Sequence, residues 1–313
     1  MTVRTAQWLK DYFMERNPND YNRDLVDSFA QSAWALGRGT IYYVAYGGDD
    51  GNPGTDPDSP LETITQALSL CSDDKGDIVY VLSWYLNEAG PIVLNKRAVS
   101  VIGAFGGSGR RPHTWMMPSG DTAMFSISSQ GTLVHNIMMD GGASHGAIEY
   151  VAGAANQYSL VSNCWFGFIQ ASLAGVWSAS TPNTPSNYSA VDGCKFGPLL
   201  TGSGILWESN GAFCRLSRNH FNAVPGINIS LPVTCAGGRG AITGNTFSLD
   251  SDAAGRAITL GVQVYGWWID GNHAHYGNTA MAQNPFRDLS AIAGVNNWGL
   301  NYSNILAVLP AVV

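Results

Sequence analysis

The sequence predicts an all-β protein, a single-stranded right-handed parallel β-helix of about six to seven coils with a short N-terminal α-helical segment. Three observations carry this. The stretch "GAITGNTF" (240–247) recurs as "SLVSNCWF" (159–166), "SAVDGCKF" (189–196), "CRLSRNHF" (214–221) and "WWIDGNHA" (267–274), with a fainter copy, "TLVHNIMM", at 132–139. Its aliphatic residues, Val134, Val161, Val191, Leu216, Ile242 and Ile269, are spaced by 27, 30, 25, 26 and 27 positions. A period of this length marks a stacked repeat. Second, alternating stretches follow the copies, among them "GAIEY" (146–150), "GILWE" (204–208) and "AITLG" (257–261), so each unit supplies at least two strands. Third, 37 Gly and a charged fraction of only 12% in 313 residues disfavour both a helical bundle and disorder.

Residues 1–38 stand apart. They hold ten of the 39 charged residues, and two apolar stripes at helical spacing (Trp8, Leu9, Tyr12, Phe13; Leu25, Val26, Phe29) flank the breaker "NPND". Two short amphipathic helices are expected, each needing a surface on which to bury its stripe. The β-helix is expected over 39–280. It opens with the strand "TIYYVA", the polar loop "GGDDGNPGTDPDSP" and a capping helix at 60–71. Ser59 with Glu62 forms a capping box there, Pro60 takes the first helical position, and Ile64, Ala67, Leu68 and Cys71 share one face. Residues 281–313 are read as a C-terminal cap or tail.

The copies lack a helical period, which leaves one coil of a parallel solenoid as the unit. Stacking then places the six aliphatics in a buried column. Asn136, Asn163, Gly193, Asn219, Asn245 and Asn272 are read as one turn column, since Asn and Gly tolerate the left-handed backbone of a sharp bend. His135, Ser162, Asp192, Arg218, Gly244 and Asp270 are read as pointing outward.

The stretch from "IYYVAYGGDDGNPGTDPDSPLETITQALSLC" through "DIVYVLSWYLNEAGPIVLNKRAVSVIGAF" resembles the opening of right-handed parallel β-helix proteins of the pectin-lyase-like superfamily, and the "I-x-x-N-x-F" ladder is similar to their coils. The resemblance covers roughly 40–280. It implies a fold shared by lyases, hydrolases, epimerases and phage tailspikes, so it does not select an activity. The N-terminal helices before a β-helical body look like a phage tailspike or head-fibre protein.

A net charge of −7 argues against a nucleic-acid partner. The opening "MTVRTAQWLKDYFMERN" has no apolar core of a signal peptide, and no apolar run reaches the ~18 residues of a membrane span, so no membrane insertion is expected. Five cysteines with no C-x-x-C or C-x-x-H spacing indicate thiols kept reduced in a cytoplasm and no metal site; Cys164 and Cys194 share a slot in neighbouring repeats and are read as stacked core side chains, with a disulfide as the alternative, and no cofactor is expected.

Candidate site residues follow from chemistry. Asp192 and Arg218 fall in adjacent coils, where they form either a structural ion pair or a sugar-binding or catalytic pair; Asp270, in "WWIDGNH", resembles the "W-I-D-H" of pectate lyases. The remaining acidic pairs, Asp49–Asp50 and Asp73–Asp74, lie in loops before the coils. Trp177, Trp207 and Glu208 lie on or beside the second strand of their coils, where an aromatic can stack on a sugar face. Glu149 and Glu208 lie two coils apart, about 10 Å, close to the span of a glycosidase carboxylate pair. The leading expectation is a virion spike made in the host cytoplasm. It is expected to form a homotrimer, to attach to other virion proteins through residues 1–38 and to bind a host-surface polysaccharide. A polysaccharide depolymerase of lyase or hydrolase type, and a non-viral cytoplasmic β-helix, are the alternatives.

Overall fold

A computed structural model describes residues 39–83, 85–86, 88–104, 114–142, 144–152, 156–167, 172–179, 187–197, 200–209, 213–222, 224, 226–232, 240–249, 256–276, 284–290, 296–303 and 311–312. The two helices expected within 1–38 lie outside the described residues, as does Cys235.

The chain winds through three parallel sheets. Among the described residues, sheet 1 has ten strands, from Ile41–Val44 to Asn297–Trp298; sheet 2 has nine, from Tyr85–Leu86 to Tyr302–Ser303; sheet 3 has nine, from Ile92–Leu94 to Ala311–Val312. Each coil contributes one strand to each sheet in turn, and every pairing among the described strands is parallel, with the coil before or after. This is a parallel β-solenoid. The six sequence copies form its middle, and the ladder runs on at both ends: past residue 280, Phe286–Asp288 pairs with Arg256–Leu260, and Asn297–Trp298 with Trp267–Asp270.

The period-2 pattern explains the core. Val134, Val161, Val191, Leu216, Ile242 and Ile269 are register partners in sheet 1, and all are fully buried. In sheet 2 the Phe that closes the motif does the same. Phe166, Phe196, Phe221 and Phe247 stack with centroids 4.9, 4.6 and 4.9 Å apart. Sheet 3 adds Ile148, Val176, Ile205, Ile229 and Ile258 in one column. Each buried side chain of this size contributes about 1.5–3 kcal/mol, and stacking repeats the gain at every rung. Cys164 and Cys194 occupy equivalent buried slots as thiols without a disulfide.

The capping helix is shorter than expected. Helix α1 spans Ile64–Leu70, and its N-cap is Thr63, whose hydroxyl accepts from the Gln66 N–H at 3.0 Å. The sequence contains two consecutive boxes, Ser59–Glu62 and Thr63–Gln66. The second prevails because Leu61 is held in extended form: its N–H donates to the Tyr43 carbonyl, its carbonyl accepts from Ala45, and its side chain is fully buried. Asp50 accepts from the Glu62 and Thr63 N–H groups, both at 2.9 Å, while Glu88 accepts from Ile64 and Thr65, both at 2.8 Å. The orphan donors of the first turn are thereby satisfied. Ile64, Ala67 and Leu68 close the first rung.

The single turn column divides into two. The residue after Asp192 and its register partners has positive φ in every copy: Asn136 59°, Asn163 50°, Gly193 64°, Arg218 55°, Gly244 65° and Gly271 65°. One position later comes a buried column of Cys164, Cys194, Asn219, Asn245, Asn272 and Asn301. There the amides bond up the stack, Asn219 to Asn245 at 3.1 Å, Asn245 to Asn272 at 2.9 Å and Asn272 to Asn301 at 2.8 Å. Asn136 and Asn163 therefore serve the bend, whereas Asn219, Asn245 and Asn272 serve an interior amide ladder. At the turn leading into sheet 1, Tyr158, Tyr188 and Phe213 also have positive φ (57°, 57° and 61°) and stack in solvent at 4.9 and 5.1 Å. Bulky residues are disfavoured in that conformation, and the ring contacts offset part of the cost.

Candidate functional site

The residues singled out from sequence fall into two groups. In the first, Asp192 does not point outward as expected: it is 1% exposed. Its register partners are His135, Ser162, Ser217, Thr243 and Asp270, so Arg218 belongs to the neighbouring, left-handed column. The Asp192 carboxylate accepts from the Ser217 hydroxyl at 2.6 Å, from Arg218 Nε at 3.0 Å and from Arg218 Nη2. The left-handed backbone costs Arg218 about 1–2 kcal/mol, which the buried, doubly bonded carboxylate offsets. Asp270 accepts from the Leu300 N–H at 2.8 Å, and a Cβ on Gly299 would lie 2.3 Å from its Oδ1, so this carboxylate seats the next coil's turn. Asp192 and Asp270 thus hold turns. The loop acids do likewise: Asp49 bonds the Gly51 N–H, Asp73 the Arg97 N–H, and Asp74 pairs with Arg97 at 2.6 Å.

The second group lies on sheet 3. Trp207, expected as a sugar platform, is instead fully buried, with its ring 5.3 Å from Tyr150. The reason is phase. Trp177 pairs with Leu206, while Trp207 pairs with Ser178 one position on, and adjacent strand positions face opposite sides. Trp177 keeps the outward phase. It is part-buried, and its indole N–H donates to Glu208 at 2.8 Å, which fixes the ring. Directly below it in register is Glu149, which accepts from His145 Nδ1 at 2.9 Å and from the Gly146 N–H at 3.2 Å. The outer face of sheet 3 therefore carries an indole with a carboxylate on either side, one of them paired with an imidazole. The stacked face of such a ring accepts the C–H side of a sugar, and the flanking carboxylates accept hydroxyl protons.

One array is not evident from the sequence. The residue just before the motif's Phe forms an outward column on sheet 2: Trp165, Lys195, His220, Thr246, His273 and Tyr302 in consecutive register. Its signal is the variable letter in "N-x-F", whose chemistry changes while its position does not. Lys195 Nζ lies 5.3 Å from the centre of the Trp165 ring, His220 Nδ1 lies 2.7 Å from Thr246 Oγ1, and His273 stacks on Tyr302 at 5.0 Å. Desolvation, then the Lys195 charge, hold the His220 pKa below the usual histidine value. Among the described residues no group of three or more His, Cys, Asp or Glu side chains has the arrangement of a metal site.

Compared with solved structures, the chain is similar to a crystal structure of pectate lyase Pel9A, at 13% identity over 88% of this chain and 83% of that one, with a TM-score of 0.50. The two chains share the fold, a parallel β-helix. A rhamnogalacturonan lyase aligns at 14% identity over 85% of this chain and 73% of that one, with a TM-score of 0.42. No family model and no curated protein matches the chain. At these identities the likeness concerns the backbone path, and the chemistry is read from the side chains above.

Proposed function

We propose that the protein binds a polysaccharide on the outer face of sheet 3, in the virion-spike setting suggested by the sequence of residues 1–38. The observation that supports it is Trp177, held by Glu208 at 2.8 Å and stacked in register on Glu149. An immobilised aromatic with acceptors beside it loses little entropy on binding. In the spike setting residues 1–38 anchor the body and copies assemble, with a trimer as the expected state. Pectate, the polymer for which the similar pectate lyase is named, is the first to try, followed by bacterial surface glycans.

A second reading is depolymerisation, favoured by the His145–Glu149 pair at 2.9 Å. An imidazole oriented by a carboxylate is a general base. Affinity electrophoresis against these polymers, with reducing-end release and the ultraviolet absorbance of unsaturated uronates followed in parallel, separates the readings. Trp177→Ala should weaken binding on the order of ten-fold. Unchanged binding would refute the site. Cleavage by the wild type that is lost in His145→Gln and Glu149→Gln would select the second reading.

A further inference from the structure

We infer that the outer face of sheet 2 is a second binding surface, for an acidic polysaccharide whose uronate carboxylates meet Lys195, His220 and His273 as the chain runs along the solenoid axis.

The charge pattern is the first argument. The protein has 23 acidic against 16 basic residues and six His, yet the described outward positions of the sheet 2 strands carry no carboxylate. They carry Lys195 and three of the six His, namely His220, His273 and His275, all exposed. On an acidic protein, a strip that carries Lys195 and three imidazoles and no carboxylate is where an anion is least repelled and finds a cation with hydrogen-bond donors beside it.

Geometry is the second. The column is in continuous register, so its side chains recur at the rung spacing of ~4.8 Å, about the length of one sugar residue. A polymer lying along the axis therefore meets one protein side chain per residue, and contacts add without bending either partner. The side chains are also pre-arranged. Lys195 is held over Trp165, His220 bonds Thr246, and His273 stacks on Tyr302. Trp165 and Tyr302 bracket Lys195 and the imidazoles, giving apolar ring surface where the sugar's C–H faces need it. A nucleic acid would want a far larger excess of Lys and Arg for its dense phosphates; carboxylates spaced one per sugar suit a sparse row of one Lys and two His, with His275 in the column beside it.

The test uses the full chain and affinity electrophoresis in gels containing polygalacturonate, its methyl ester, or single-stranded DNA of similar length. Retardation is expected in polygalacturonate, lost in the uncharged ester and absent with DNA. Lys195→Glu and His273→Glu should each weaken polygalacturonate binding about ten-fold or more. Lys195→Gln should give a smaller loss, and thermal melting should be unchanged because both side chains are exposed. Retardation of both Glu variants equal to wild type would overturn the inference, as would binding of DNA or of the ester as tight as that of polygalacturonate. The site on sheet 3 is judged separately by Trp177→Ala, so either surface can fail while the other stands.

Discussion

Replacing Asn245 by Ala should be among the most damaging single changes in the solenoid. Its Oδ1 accepts from the Asn219 backbone N–H at 2.9 Å and from Asn219 Nδ2 at 3.1 Å; its Nδ2 donates to the Leu216 carbonyl at 3.0 Å and to Asn272 Oδ1 at 2.9 Å. The side chain is fully buried, as is Asn219. Truncation strands the Asn219 N–H, at about 1–3 kcal/mol, and removes three further bonds at roughly 0.5–1 kcal/mol each from groups that keep other partners. The expected loss is roughly 3–6 kcal/mol in urea unfolding, read from the midpoint at constant slope. Asn245→Asp refines the test. An ionised carboxylate keeps the acceptor role but cannot donate to Leu216 or Asn272, so its folded-state pKa is raised above the unfolded value of ~3.9. The folded state then holds the extra proton, and the stability of this variant should rise as pH falls from 7 toward 4. Asn163→Gly is the contrast. Asn163 donates one side-chain bond, to the buried Asn136 Oδ1 at 3.0 Å, and sits at φ 50°, which Gly adopts freely, so the change should cost about 1–2 kcal/mol, well below the loss at 245. A loss below about 1 kcal/mol for Asn245→Ala, or equal losses at 163 and 245, would refute the division into two columns.

Three other outcomes are expected. Gly193→Ala should cost about 1–2 kcal/mol from its φ of 64° alone, because an added Cβ would meet nothing within 4 Å, and Gly193→Asn should cost less in the same melt. Asp192→Ala should cost about 2–4 kcal/mol by chemical denaturation, while Asp192→Ser combined with Arg218→Gly should recover most of it by removing both the cation and the strained φ. Burial lowers the His135 pKa to about 4. The unfolded ring takes its proton near pH 6.5 while the folded one stays neutral, so stability should fall as pH drops from ~6.5 to ~4, by at most about 3 kcal/mol for this part-buried ring, and His135→Gln should remove that part of the slope.

By itself the sequence determined the period, the buried aliphatic column and hence the solenoid, because a stacked repeat must present the same side-chain class at the same slot in every coil. Tertiary structure decided phase. Asn suits both a left-handed bend and a buried amide ladder, so Asn163 and Asn245 look alike in the motif although they occupy neighbouring columns with different partners. The same ambiguity separated Trp177 from Trp207, since a one-residue offset on a strand exchanges solvent for core. It also hid the sheet 2 strip. The residues Trp165, Lys195, His220 and His273 share no chemistry that a repeat search would register, and they become a surface only when consecutive coils bring them a rung apart. Asp192 was legible as a partner of Arg218, but its burial was not, because the direction of a strand side chain depends on the neighbouring coil that covers it.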